Sequence, residues 1–201
     1  MADVTRAIAA ATSVAASLGL AASDAIVLNN SNRLALRLTP CDVLARVAPV
    51  EHEAAQREVE LAQRLAQAGC PVGALAPGAD PLVYTRDGLN VTLWVYYEPV
   101  TPHVSPADYA KALERLHAGL RKVDVPGPRF TDRIAEAERV VASPDLSPEL
   151  AGADRGFLTS RLGSLRRAIE DRRAAEQLLH GEPHPGNVLS TKNGPDRKSV
   201  V

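Results

Sequence analysis

Apolar positions along the first hundred residues alternate between two periods. Val4, Ile8, Ala11, Ala15 and Leu18 recur at helical spacing and predict a short amphipathic helix. Ala25 to Leu28 and Arg33 to Leu38 read as strands around Asn29-Asn30-Ser31-Asn32, where asparagine tolerates the backbone of a hairpin turn. Asp42 to Ala48 is a third strand, with Val43, Ala45 and Val47 on one face and Leu44 and Ala48 on the other beside Arg46. Glu51 to Ala68 predicts a helix stopped by Gly69 and Pro71. Leu82 to Thr85 and Leu89 to Tyr97 form a second hairpin across Arg86-Asp87-Gly88. Together these elements describe an α+β layer in which the helix after the third strand covers one face of an antiparallel sheet.

Helical spacing then takes over. Glu98-Pro99-Val100-Thr101-Pro102 reads as a linker, and Ser105-Pro106-Ala107-Asp108 opens a helix with a capping-box-like start and Pro at its first position. Tyr109, Leu113, Leu116 and Leu120 give that helix its buried stripe. Further helices are expected around Asp132 to Ala142 and Pro148 to Ala175. In the last, Arg166 with Glu170, Arg167 with Asp171 and Arg172 with Glu176 stand at ion-pair spacing, which marks a solvated face rather than a basic binding patch.

Composition narrows the partners. The chain has 201 residues, 45% hydrophobic and 23% charged, with a net charge of −1. That suffices for one large domain or two small lobes. The near-neutral balance gives no electrostatic reason to expect nucleic acid or an anionic membrane as partner. Cys41 and Cys70 stand far apart without a Cys/His cluster, as in reduced cytoplasmic proteins. The Ala-rich start imitates a secretory segment, but Asp3 offsets Arg6, and Thr12, Ser13, Ser17 and Gly19 interrupt the run. No stretch reaches the ~20 apolar residues of a membrane span.

The densest chemistry lies in Leu178-Leu179-His180-Gly181-Glu182-Pro183-His184-Pro185-Gly186-Asn187-Val188-Leu189. Apolar pairs anchor both ends of a loop carrying a carboxylate and, five residues on, an amide. This pattern suits phosphoryl transfer: the acid orients an attacking hydroxyl and accepts its proton, and the amide oxygen holds magnesium on the phosphates. A hydrogen-bonded turn without chemistry is the plainer alternative. His184 has no second histidine at ligand spacing, so a structural or substrate-rim role is expected for it rather than metal binding.

The segment resembles the His-Gly-Asp-x-His-x-x-Asn catalytic loop of aminoglycoside phosphotransferases and their choline-kinase-like relatives, which share the protein-kinase fold. The resemblance implies that Glu182 is the catalytic acid, Asn187 a magnesium ligand and His180 the histidine that braces the loop. Glu182 departs from the usual Asp, which keeps the charge and moves it one methylene outward.

Arg46 interrupts a strand otherwise apolar on both faces, and Glu58 lies on the apolar stripe of the following helix, with Ala54, Ala55, Leu61, Ala62 and Leu65 around it. Glu60, among Gln56, Gln63 and Arg64, is on the wet side. A charge facing a core is costly unless paired, so Arg46 and Glu58 are natural partners. A snorkelling Arg46 beside a half-exposed Glu58 is the alternative. In kinase-like folds a third-strand Lys pairs with a helix Glu while it holds ATP phosphates, and Arg46 stands where that Lys would be. The Asn29 to Asn32 hairpin would then cover phosphates, with an ordinary hairpin turn as the alternative. Tyr96, Tyr97 and Glu98 would form the hinge against adenine, with core packing of the aromatics as the alternative.

The fold expected is therefore α+β and protein-kinase-like, with two lobes: 1–98 binding nucleotide and 99–195 a partial helical lobe. The Ile-Asp strand that should carry a second magnesium carboxylate is missing, because Asp196 precedes basic residues instead of ending an apolar strand. Residues 196–201 match one reading frame of a sequencing-adapter oligonucleotide, so a foreign tail is expected, on a truncated chain inactive by itself. The activity expected of the family is transfer of the γ-phosphoryl group of ATP, with Mg2+, to a hydroxyl of a small polar molecule in the cytoplasm. Two alternatives stay open: a relative acting on protein or lipid, and a nucleotide-binding pseudokinase serving as a scaffold. Acceptor identity and oligomeric state are not legible.

Overall fold

A computed structural model describes residues 3–31, 33–51, 54–100, 104–183 and 187–191, and the backbone of 194–197. Asn32, Thr101, Pro102, His184, Pro185, Gly186 and the tail beyond 197 lie outside the described residues. The elements run α1 (Val4–Ser17), β1 (Ala22–Asn30), β2 (Leu34–Pro40), β3 (Val43–Pro49), α2 (Ala54–Gln67), β4 (Tyr84–Arg86) and β5 (Leu89–Val95). They continue with α3 (Pro106–Leu120), α4 (Phe130–Ala142), α5 (Gly152–Asp171), β6 (Val188–Thr191) and β7 (Gly194–Arg197). The chain forms two compact units, one of residues 1–123 with 179–201 and one of 124–178.

The first unit is built on a five-stranded antiparallel sheet in the order β1-β2-β3-β5-β4. Side chains alternate across it. Leu34, Leu36, Leu38, Val43, Ala45, Val47, Leu89, Val91 and Leu93 make one buried face, and Ala7, Ala10, Ala11, Val14 and Ala15 of α1 pack on it. Small alanine side chains let the helix axis come close to the strands. The Asp3 carboxylate caps the helix by accepting from the Thr5 amide at 3.0 Å.

The helix after the third strand does cover one face of the sheet, as expected, but it is the other one; α1 covers this face. Glu58 sits among the buried residues of α2, and its carboxylate binds Arg46, so α2 serves the opposite sheet face, which carries Ala35, Arg46, Thr92 and Trp94. A stripe carrying a carboxylate goes where the matching cation is. Away from the sheet α2 also meets α3. There the chain turns at Gly69, with φ of 71°, and Cys70 comes against Gly119 of α3. Two free, partly buried cysteines result, Cys41 and Cys70.

The second unit pairs α4 with α5. Arg155 organises their connection by donating to the carbonyls of Val141, Ser147 (2.9 Å) and Leu150 (3.2 Å). Arg166 binds Glu170 at 3.1 Å as its spacing predicts, and also Glu138 of α4 at 3.1 Å. The other two spacings do not become pairs. α5 ends at Asp171, before the expected Ala175, because Arg173 adopts a left-handed φ of 45°. Arg167 donates to Ser164, and Glu176 pairs with Arg129 at 2.8 Å.

A Cβ added at Gly119 would overlap Cys70 Sγ. Gly119→Ala is therefore expected to lower unfolding free energy in urea by about 1–3 kcal/mol. Cys70→Ala in the same chain should recover most of that loss, giving a double-mutant coupling absent from either change alone.

Candidate active site

The site begins with charge placed on a sheet face. Arg46 lies on β3 between Ala35 of β2 and Thr92 of β5. Its guanidinium donates to Glu58 Oε1, and the Glu58 carboxylate is only 4% exposed. The predicted pair forms. The Trp94 ring lies 4.9 Å from the Arg46 guanidinium carbon, and Trp94 Nε1 donates to Thr92 Oγ1 at 2.8 Å, which fixes that aromatic platform. Burial pushes the Arg46 guanidinium below its ordinary pKa, Glu58 opposes the shift, and Arg33 adds to it. Glu60 is exposed and accepts from Gln56 at 3.0 Å, as its place on the wet side predicts.

Sequence reasoning missed Arg33. It follows the β1–β2 turn and donates to Glu58 Oε2, so one carboxylate holds two guanidinia. The signal was available in the pleat: Arg33 lies two residues before Ala35, which pairs with Arg46, and so shares its sheet face.

The loop at 180–187 is braced from within. His180 is 3% exposed, and its Nδ1 accepts the Glu182 amide at 3.2 Å, so the neutral ring carries its proton on Nε2. The His180 amide in turn donates to His117 Nε2 of α3 at 3.4 Å. Gly181 holds a φ of 80°, a left-handed turn that a side chain would strain. Asn187 Nδ2 donates to the Glu182 carbonyl at 3.0 Å, which leaves Oδ1 as the oxygen that can face a cation. β6 follows at once and pairs with β7, where Asp196 stands opposite Leu189.

The three hinge candidates are held by neighbours. The Tyr96 ring lies 4.1 Å from the Arg37 guanidinium carbon, and Glu98 meets Arg37 at 3.4 Å, while Asp42 binds the same guanidinium at 2.8 Å. Tyr97 Oη accepts the Ala74 amide at 3.4 Å. The Val100 amide donates to the Ser190 carbonyl of β6 at 3.1 Å, fastening the linker beside the loop.

The buried carboxylate of Glu58 binds two partly buried cations. Glu58→Ala should therefore cost about 3–5 kcal/mol in chemical denaturation, the cost of breaking a buried ion pair. Arg33→Ala should cost much less, because Glu58 keeps Arg46.

Among the described residues, no helix is long and apolar enough to cross a membrane. No curated protein matches the chain by sequence. Among solved structures, the chain is similar to the aminoglycoside phosphotransferase APH(3'')-Id from Streptomyces rimosus at 19% identity, covering 100% of this chain and 76% of that one with a TM-score of 0.59. It is also similar to APH(2")-IIIa in complex with GDP and kanamycin, at 17% identity, 91% and 67% coverage and a TM-score of 0.63. A third likeness is to a thermostable mutant of APH(4)-Ia with ADP and hygromycin B, at 13% identity, 95% and 69% coverage and a TM-score of 0.61. These likenesses establish a protein-kinase-like fold. The model of the phosphotransferase enzyme family (APH) matches residues 25–199. On that span, with the sheet, the charged pair and the braced loop in place, the chain belongs to the phosphotransferase enzyme family.

Proposed function

We propose that this protein transfers the γ-phosphoryl group of ATP to a hydroxyl of a small polar molecule. The observation that carries the proposal is the hydrogen bond from Asn187 Nδ2 to the Glu182 carbonyl, which ties the residue with the amide oxygen directly to the residue with the carboxylate. Further support comes from the nucleotides in two of the similar structures, GDP in one and ADP in the other. Their aminoglycoside ligands leave the acceptor here open.

The residues present fit the groups the reaction needs. An amide oxygen suits a hard cation, and two guanidinia against one carboxylate leave positive charge for phosphate. Asn187 would hold magnesium through Oδ1, and magnesium, when bound, neutralises charge on the phosphate oxygens. Arg46, steadied by Glu58 and the Trp94 ring, would bind the α- and β-phosphates. Backbone groups of Tyr96, Tyr97 and Glu98 would line adenine, since their side chains are occupied by Arg37 and Ala74. In this scheme residues 1–98 supply the nucleotide-binding lobe and 99–195 the helical one.

Glu182 orients the acceptor hydroxyl and takes its proton as that oxygen bonds to the γ-phosphorus. The bond from phosphorus to the bridging oxygen breaks, and its electron pair leaves with ADP. His180 does not touch the reactants in this scheme. It positions Glu182 through the amide bond to Nδ1. Catalysis comes mainly from placement and charge. ATP and the free cysteines agree with a cytoplasmic setting.

Titration calorimetry with MgATP is the first test. Arg46→Ala is expected to weaken binding by about tenfold or more, the worth of a charge-assisted hydrogen bond. Absence of nucleotide binding in the unaltered protein would sink the proposal. With the protein screened against hydroxylated small molecules, Glu182→Gln should cut turnover by about 10²–10⁴-fold with MgATP affinity held. Nucleotide binding with no turnover on any acceptor would instead favour a scaffold.

A further inference from the structure

Glu58 accepts from Arg46 through one oxygen and from Arg33 through the other. Two positive charges and one negative leave a net of +1. The side chains concerned are 15%, 29% and 4% exposed for Arg46, Arg33 and Glu58. Positive charge left over at this depth is costly unless an anion offsets it. Arg33 and Arg46 also share a sheet face, one at the end of the β1–β2 turn and the other mid-strand on β3. Each guanidinium satisfies one oxygen of Glu58, but a single positive charge would already balance the carboxylate, so the second brings charge in excess of what Glu58 neutralises.

We infer that Arg33 is a second phosphate-binding cation, which with Arg46 forms a two-guanidinium clamp spaced by Glu58 and selective for polyphosphate over the nucleoside. This rests on the ATP-dependent reading above and deepens it. Each guanidinium presents five N–H donors in a planar fork, so one edge serves Glu58 and the rest remain for phosphate oxygens. Glu58 keeps the two cations from repelling each other apart, and sets their spacing before any ligand arrives. The clamp reads charge and phosphate count, not the base. It also replaces the compact ammonium of a lysine with two bidentate donors, matched to more than one phosphate group.

The test uses the protein with ATP, tripolyphosphate and adenosine, titrated into the unaltered chain, Arg33→Ala and Arg33→Lys. Arg33→Ala should weaken ATP and tripolyphosphate by about tenfold or more and leave adenosine within about twofold, as loss of a charge-assisted hydrogen bond requires. Arg33→Lys should recover part of the loss, since charge returns without the fork. Arg33→Ala keeps Glu58 paired with Arg46, so its melting temperature is expected to stay close to that of the parent. Equal weakening of adenosine and ATP would mark Arg33 as structural and overturn the clamp. So would unchanged ATP affinity in Arg33→Ala. If the unaltered protein binds neither ATP nor adenosine, the nucleotide reading itself fails, and the clamp falls with it.

Discussion

One carboxylate governs the geometry of the sheet face that α2 covers. Glu58 is nearly excluded from water, and a carboxylate in that position persists only where cations reach it. Arg46 reaches it from the middle of β3 and Arg33 from the turn before β2. The ion pair therefore does what an apolar stripe alone would not: it decides which sheet face α2 serves and how the helix is rotated about its axis. Apolar contacts among Val59, Leu61, Ala62 and Leu65 are compatible with several rotations. A charge contact with directional donors is compatible with far fewer.

The described ends of the 180–187 loop are held in a different way. They spend few apolar contacts and rely on backbone groups satisfied by side chains. His180 receives the Glu182 amide, His117 receives the His180 amide, and Asn187 returns to the Glu182 carbonyl. Each bond removes a buried or half-buried polar group from the ledger of unsatisfied ones. The consequence is that Glu182 and the Asn187 amide share one peptide carbonyl as their common reference point.

How much of this was legible follows from where the cost lies. A lone Arg in an apolar strand and a lone Glu on an apolar helical stripe are anomalies that only pairing relieves, so Arg46 and Glu58 declare each other from sequence. Arg33 announces itself less strongly: it stands beside a polar turn, where an arginine costs little, and only the pleat that puts it on the face of Arg46 points to it. The α+β class and the succession of the first five strands along the chain followed from period-two alternation. Which sheet face each of α1 and α2 covers did not, since both helices carry an apolar stripe and only the placement of Glu58 distinguishes the faces. The end of α5 was also hidden. Arg173 enters the left-handed region without the glycine that usually marks such a stop, and the spacing of Arg172 and Glu176 lost its meaning there.

The bond from the Val100 amide to the Ser190 carbonyl has a mechanical consequence. It stitches the segment leaving β5 to the strand that follows the 180–187 loop, so a displacement of one pulls on the other within a single peptide's reach, and a strand of four residues carries that pull onward.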